Sequence, residues 1–353
     1  MPSRIGLPDI VLWGVTLAIG GAGGFALDLL HVPLAWLLGS LAAVAGAGLI
    51  GGYRLAVPPG GRQVGQLLLG TAIGLTFTPT VAEIVAGYAP VMVVAALLSI
   101  LYGVVAAWSL RRTARVDDAT AFFSSVPGGV AEMSILAERH GGHTAPVSLA
   151  QSLRILCVVT TIPPIITALG LTGIDPFEPS TLAFDAMGFP ALITLAVAGG
   201  GLLAWRRVPN AWLLGPMAVA VLVTATESDL SAMPGPLLSL SQVLIGATLG
   251  LRYRRDRLLA LRRFLPPAVL STIVLVGLNV ATGAAIGILV GLPVPTMALA
   301  VSPGGMAEMS ITAKVLHLGV PVVSAFHVVR IFLVIGFSEI VFRKLFRRPA
   351  TNE

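Results

Sequence analysis

Charge is scarce in this chain. Only 11% of its 353 residues are charged and 6% are aromatic, against the roughly 25% charged of an ordinary soluble domain, which excludes a soluble enzyme. Cysteine is scarcer. Cys157 stands alone inside the apolar run ILCVVTT, so neither a disulfide nor a thiolate metal site can form. No nucleophile motif, P-loop or dinucleotide fingerprint is present, because the glycine-rich stretches interrupt apolar runs and precede no strand. The net charge of +6 suggests nucleic acid, but the arginines fall in short clusters between apolar runs and make no basic face. They read as topology-setting loop charge, so the bilayer is the expected partner and nucleic acid is not.

What is abundant is apolar surface. Hydrophobic residues make up 56% of the chain, and at about 20 residues per crossing the length allows about a dozen crossings and no large aqueous domain. Forty glycines and 25 prolines are scattered among Leu, Val and Ala, as transmembrane helices tolerate. The N-terminal MPSRIGLPDIVLWGV shows no small-residue cleavage pattern before Asp28, so a retained first helix is expected.

The chain repeats itself. Val32-Pro33-Leu34-Ala35-Trp36-Leu37-Leu38-Gly39 returns as Val208-Pro209-Asn210-Ala211-Trp212-Leu213-Leu214-Gly215, at an offset of 176. At the same offset Gln66, Gly70 and Gly74 match Gln242, Gly246 and Gly250, and Pro127-Gly128-Gly129-Val130-Ala131-Glu132-Met133-Ser134 matches Pro303-Gly304-Gly305-Met306-Ala307-Glu308-Met309-Ser310. Arg154 matches Arg330. Two halves follow, residues 1–176 and 177–353, each with five long apolar segments and a sixth (118–139, 294–315) broken by Pro-Gly-Gly.

Loop charge orients the segments. Clusters at Arg111 to Arg115, Arg206 and Arg207, Arg252 to Arg263, and Arg343 to Arg348 are expected in the cytoplasm, and the stretches near Glu83, Asp175 to Asp185 and Glu227 to Asp229 outside. Lys314 is the one misfit. Passing from Arg111 to Asp175 takes an odd number of crossings, so the broken segment is expected to enter and leave by the same face. The expectation is therefore an all-α integral membrane protein of two inverted-topology repeats, each with five transmembrane helices and one re-entrant hairpin. A bacterial inner membrane with both termini cytoplasmic is the expected location, and inverted repeats with interrupted helices recur among secondary transporters.

The Pro-Gly-Gly elements carry the candidate chemistry. Proline ends one half-helix, Gly128-Gly129 and Gly304-Gly305 allow a tight reversal, and the restarted helix offers free N–H groups and a positive dipole end to an anion. Glu132 and Glu308 fall in the first restarted turn. They are capping carboxylates, or, being intramembrane, proton or cation sites. Ser134 and Ser310 could ligate through their hydroxyls or bond back to helix carbonyls. Arg154 and Arg330, 22 residues after the glutamates, could lock hairpin to helix through an ion pair or meet a substrate carboxylate. Gln66 and Gln242 are secondary candidates, in segments whose glycines suggest close helix packing. Trp36 and Trp212 read as interface anchors. His140, His143, His317 and His327 do not make a convergent metal set, and no cofactor or metal is expected.

These motif pairs and the duplication together resemble the membrane AbrB duplication family over nearly the whole chain. That family also carries the label ammonia monooxygenase. The resemblance would imply gene regulation or ammonia oxidation, yet this sequence contains no DNA-binding module and few metal ligands. The pattern is also similar to citrate and dicarboxylate carriers with two re-entrant hairpins, which implies a scaffold from the first two segments of each repeat, a mobile hairpin-bearing part and a homodimer. The reading is a secondary, elevator-like transporter of a small anionic or zwitterionic solute, with H+ or Na+ as candidate coupling ions. A membrane-embedded regulator and a membrane monooxygenase are the alternatives.

Overall fold

The computed structural model describes residues 7–171, 183–226 and 230–346. Residues 175–182 and 227–229 of the acidic stretches, Arg347, Arg348 and the boundary at 176/177 lie outside them. Among the described residues all regular structure is helical. The first half contributes α1 (Leu7–Leu29), α2 (Ala35–Leu49), α3 (Gly61–Gly74), α4 (Pro79–Gly87), α5 (Ala89–Ala114), α6 (Asp118–Ser125), α7 (Val130–Arg139) and α8 (Thr144–Ala168). The second contributes α9 (Gly188–Trp205), α10 (Ala211–Ala225), α11 (Gly235–Gly250), α12 (Arg255–Ala260), α13 (Leu265–Val290), α14 (Val294–Val301), α15 (Met306–Val315) and α16 (Val320–Leu345).

The repeat offset of 176 governs local structure too. Both ends of α2, α5, α6 and α7 recur at that offset in α10, α13, α14 and α15. Leu34 and Asn210, the residues before α2 and α10, share a left-handed backbone with φ of 58° and 51°. Asparagine tolerates that region and leucine seldom does, so the Val-Pro-x turn itself, and not its residue choice, fixes the conformation in both halves.

Six helices are long and apolar enough to cross a membrane: most of α1 together with α5, α8, α9, α13 and α16. A seventh arises if α3 and α4, bent by 93°, count as one. The sequence reading counts ten crossings. The difference lies in α2, α10 and α11, apolar but only 15 or 16 residues long, below the about 20 that a straight crossing takes.

Two compact units result, each drawing on both halves. One comprises residues 1–84, 163–260 and 310–321. Its helices pack in the order α1, α2, α11, α3, α10, α9, which is symmetric under the repeat offset. Small residues permit the approach. A Cβ on Gly250 would lie 2.9 Å from the Leu41 carbonyl, and one on Gly70 would strike the Leu213 carbonyl. The analogy with two-hairpin carriers groups only the first two segments of each repeat, but here the third segments, α3 and α11, belong with them. Ser40 Oγ–H ties α2 to α11 through the Val243 carbonyl (2.9 Å).

The other unit comprises residues 85–162, 261–309 and 322–353 and holds the first broken helix pair whole and the second as far as Met309. α5 packs on α13, with α6 and α14 against them, and the Tyr102 hydroxyl meets Thr282 Oγ1 at 2.8 Å. An aromatic cluster closes one end: Phe122, Phe342 and Phe346 have centroids 5.2 to 6.0 Å apart, with Phe123 edge-on to Phe122 at 5.0 Å. Such pairs add about 0.5–1.5 kcal/mol each beyond burial, so the C-terminal turns of α16 anchor the start of the first broken helix.

Candidate functional site

Each break is built by local chemistry. Asp117 caps α6, its carboxylate accepting from the Thr120 N–H (2.7 Å) and hydroxyl (2.6 Å). The helix then stops at Pro127, which lacks an N–H, and Val126 and Gly129 are extended, with ψ of 129° and 145°. Ser302 takes the same shape, ψ 143°, after α14. Neither glycine pair has positive φ, so a left-handed reversal is not their purpose. Space is. A Cβ on Gly128 would lie 2.7 Å from Met133 Cγ, and one on Gly304 would lie 2.7 Å from Met309 Cγ and 2.9 Å from Val158 Cγ1.

Glu132 and Glu308 fold back over their own N-cap glycines. A Cβ on Gly129 would meet Glu132 Cδ at 2.8 Å, and one on Gly305 would meet Glu308 Cδ at 2.9 Å. Both carboxylates therefore sit where the free N–H groups and positive dipole ends of α7 and α15 favour negative charge. Glu308 is buried, Glu132 partly so. Ser134 donates back to the Val130 carbonyl (2.7 Å), which leaves its oxygen lone pairs as its remaining capacity. Ser310 is fully buried.

The arginines differ from the ion-pair expectation. Arg154, 3% exposed on α8, donates its Nε–H to the Pro303 carbonyl (2.7 Å) and Nη2 to the Gly128 carbonyl (3.1 Å), and does not pair with Glu132. One guanidinium thus joins both breaks. Arg330, 5% exposed on α16, donates to the Ser302 carbonyl and to the Gly304 carbonyl (2.6 Å). Three successive carbonyls, Ser302 to Gly304, accept from two guanidinium groups. The physical reason is the break itself: backbone carbonyls beyond the end of α14 and inside a protein need donors, and an arginine supplies several in one planar fork. Each guanidinium also keeps a buried N–H without an acceptor, at Arg154 Nη1 and Arg330 Nε.

The sequence reading missed Gln151, one turn before Arg154. Its amide donates to the Phe123 (2.7 Å) and Val126 (2.9 Å) carbonyls, completing the cap on α6. Its partner at the offset is His327, fully buried one turn before Arg330. The signal was available in the 176-residue offset, but unlike residues at equivalent positions do not announce themselves. Gln66 and Gln242 belong to the other compact unit, on α3 and α11, and are not among the residues gathered here. Both are nonetheless buried.

Residues fit for a metal are wanting. Among the described residues no three His, Cys, Asp or Glu side chains converge. His140 stacks on Phe123 (5.9 Å) and lies 3.6 Å from a Glu339 oxygen, and His143 lies 3.9 Å from an Asp117 oxygen. The copper or iron that the monooxygenase label implies thus finds no donor set among them.

Apolar helices of spanning length, two helices interrupted at Pro-Gly-Gly and buried arginines on the break carbonyls define a multi-pass membrane-type helical protein with duplicated broken helices. The chain belongs to the AbrB family, whose model, described as transition state regulatory protein AbrB, matches residues 36–346. It is 28% identical to a Bacillus subtilis (strain 168) protein named "Uncharacterized protein YhjN", over 95% of this chain and 92% of that one. It is 25% identical to an Escherichia coli (strain K12) protein named "Putative regulator AbrB", over 92% of this chain and 94% of that one.

Proposed function

We propose that the protein is a secondary transporter of a small anionic or zwitterionic solute in the bacterial inner membrane, with both termini cytoplasmic and the two Pro-Gly-Gly breaks forming re-entrant hairpins. The observation that carries this reading is the pair of buried guanidinium groups on the breaks, each with an N–H left without an acceptor. A buried cation is costly unless paired, and a soluble anion that comes and goes is the partner a transporter requires. Two restarted helix N-termini beside them add positive potential. Glu132 and Glu308 then serve as the H+ or Na+ sites that couple movement to a gradient. Both Pro-Gly-Gly breaks, both glutamates and both arginines lie in one compact unit, which supports an elevator-like carrying body.

The name of the Escherichia coli relative favours a second reading, a membrane-embedded regulator that binds the anion without moving it. Flux decides between them. Purified protein in proteoliposomes should accumulate a labelled anion down an imposed proton or sodium gradient, and Arg154→Gln or Arg330→Gln should abolish it. Binding without flux in the unmodified protein would assign the regulator.

A further inference from the structure

We propose that His140 is a proton-binding site whose occupancy latches the first restarted helix, α7, to α16. His140 is the C-cap residue of α7. Its ring stacks on Phe123 of α6 at 5.9 Å and meets Phe342 of α16 at 5.0 Å. The Nε2 atom is buried without a hydrogen-bond partner and stands 3.6 Å from a Glu339 oxygen, just beyond hydrogen-bond reach. The histidine side chain is 11% exposed, so water serves an added charge poorly there and a protein partner is needed. All four residues lie in one compact unit.

A proton on both ring nitrogens aims an N–H at the Glu339 carboxylate and turns the gap into a charge-assisted hydrogen bond, shorter and stronger than a neutral one. The faces of Phe123 and Phe342 attract the cation, since both centroids lie within the about 6 Å over which a ring does so. Charged neighbours set the balance. On α16, Arg343 donates to the same Glu339 oxygen, so it competes for the carboxylate and repels an imidazolium, while Lys344 beside it is exposed. Glu138 and Arg139 precede His140 on α7 itself. At the start of α6, Asp117 caps the helix and lies 3.9 Å from His143, and Asp118 pairs with Arg111 of α5 at 2.8 Å, which leaves Glu339 as the acceptor for His140. Histidine changes charge between about pH 5 and 8, so the tie is complete on the acid side and is lost as pH rises. The repeat offset puts Leu316 and Pro163 in place of His140 and Glu339, and the latch therefore belongs to the first break alone. α7 carries Glu132 and α16 carries Arg330, so closing it fixes residues of both breaks to one another. Arg111 and Arg343 belong to the clusters expected in the cytoplasm, so the latch reads the acidity of that side.

The test is hydrogen–deuterium exchange of the full-length purified protein in lipid nanodiscs, followed on peptides that cover α7 on the acid and the alkaline side of the histidine range, with labelling times matched for intrinsic chemical exchange. Protection of the last turn of α7 should rise about three- to fivefold on the acid side, as an ion pair with one partly exposed partner allows. His140→Phe, which keeps the aromatic stack, and Glu339→Gln, which keeps the size, should each remove that response. Arg343→Gln, which frees the carboxylate for His140, should enlarge it, and His143→Gln should leave it unchanged. A response that survives either His140→Phe or Glu339→Gln, shrinks in Arg343→Gln or disappears in His143→Gln would place the proton elsewhere and overturn the proposal. So would protection in the unmodified protein that is the same on both sides. Local exchange needs neither anion nor flux, so the latch stands or falls separately from the transporter reading.

Discussion

Gln151 does its work through two hydrogen bonds to carbonyls at the end of α6, those of Phe123 and of Val126, the second of which also accepts from the Gly128 N–H. Gln151→Leu keeps much of the volume and strands the Phe123 carbonyl, while Val126 keeps the Gly128 N–H, so a drop in thermal midpoint corresponding to about 1–3 kcal/mol is expected. Gln151→His, which copies the residue at position 327, should cost less. The glutamates make the opposite kind of claim. Folded over Gly129 and Gly305, they already hold a capping position, and glutamine retains a carbonyl acceptor there. Glu132→Gln with Glu308→Gln should therefore cost only about 1 kcal/mol, yet remove the pH or sodium dependence of anion binding if the carboxylates carry the coupling ion. Anion affinity titrated against pH and sodium in the double variant reads this directly, and an unchanged dependence would leave them as caps alone.

Between elements, glycine decides which helices touch. α3 meets α10 where Gly70 faces the Leu213 backbone, and α11 meets α2 where Gly246 faces the Leu37 backbone, two contacts related by the repeat. Gly70→Val and Gly246→Val should each destabilise the protein by roughly 1–3 kcal/mol, since backbone carbonyls cannot step aside, with equal effects at the two sites. Gly14→Val, where nothing lies within 4 Å, is the control and should leave the midpoint nearly unmoved. The glycines of the breaks belong to the same rule. The sequence reading has the glycines permit a tight reversal without side-chain clash; the backbone there has ordinary φ, and it is the missing Cβ that makes room for Met133, Met309 and the glutamates.

For the whole molecule, the arginine clusters set the expected topology. Single cysteines at positions 112 and 255, introduced into a Cys157→Ala background, should react with a membrane-impermeant maleimide only when the cytoplasmic face is opened. A cysteine at position 83 should react from outside, because the Lys/Arg bias alternates between these loops. Reaction of positions 112 and 255 from opposite faces would remove the basis for inverted repeats.

The sequence by itself determined the class and the repeat. Low charge, long apolar runs and a constant offset are properties of composition and order, and each helix obeys them almost residue for residue: the broken segments at 118–139 and 294–315 begin and end where α6 with α7 and α14 with α15 do. Tertiary structure alone decided the partners. Arg154 reaches Pro303, 149 residues away, and nothing local in either segment encodes that pairing. The glutamate three residues into the helix was the more obvious partner for an arginine. Backbone carbonyls in the break outcompeted it, because a buried backbone acceptor without a donor is costly, while the glutamate lies folded over the glycine at the positive end of its own helix.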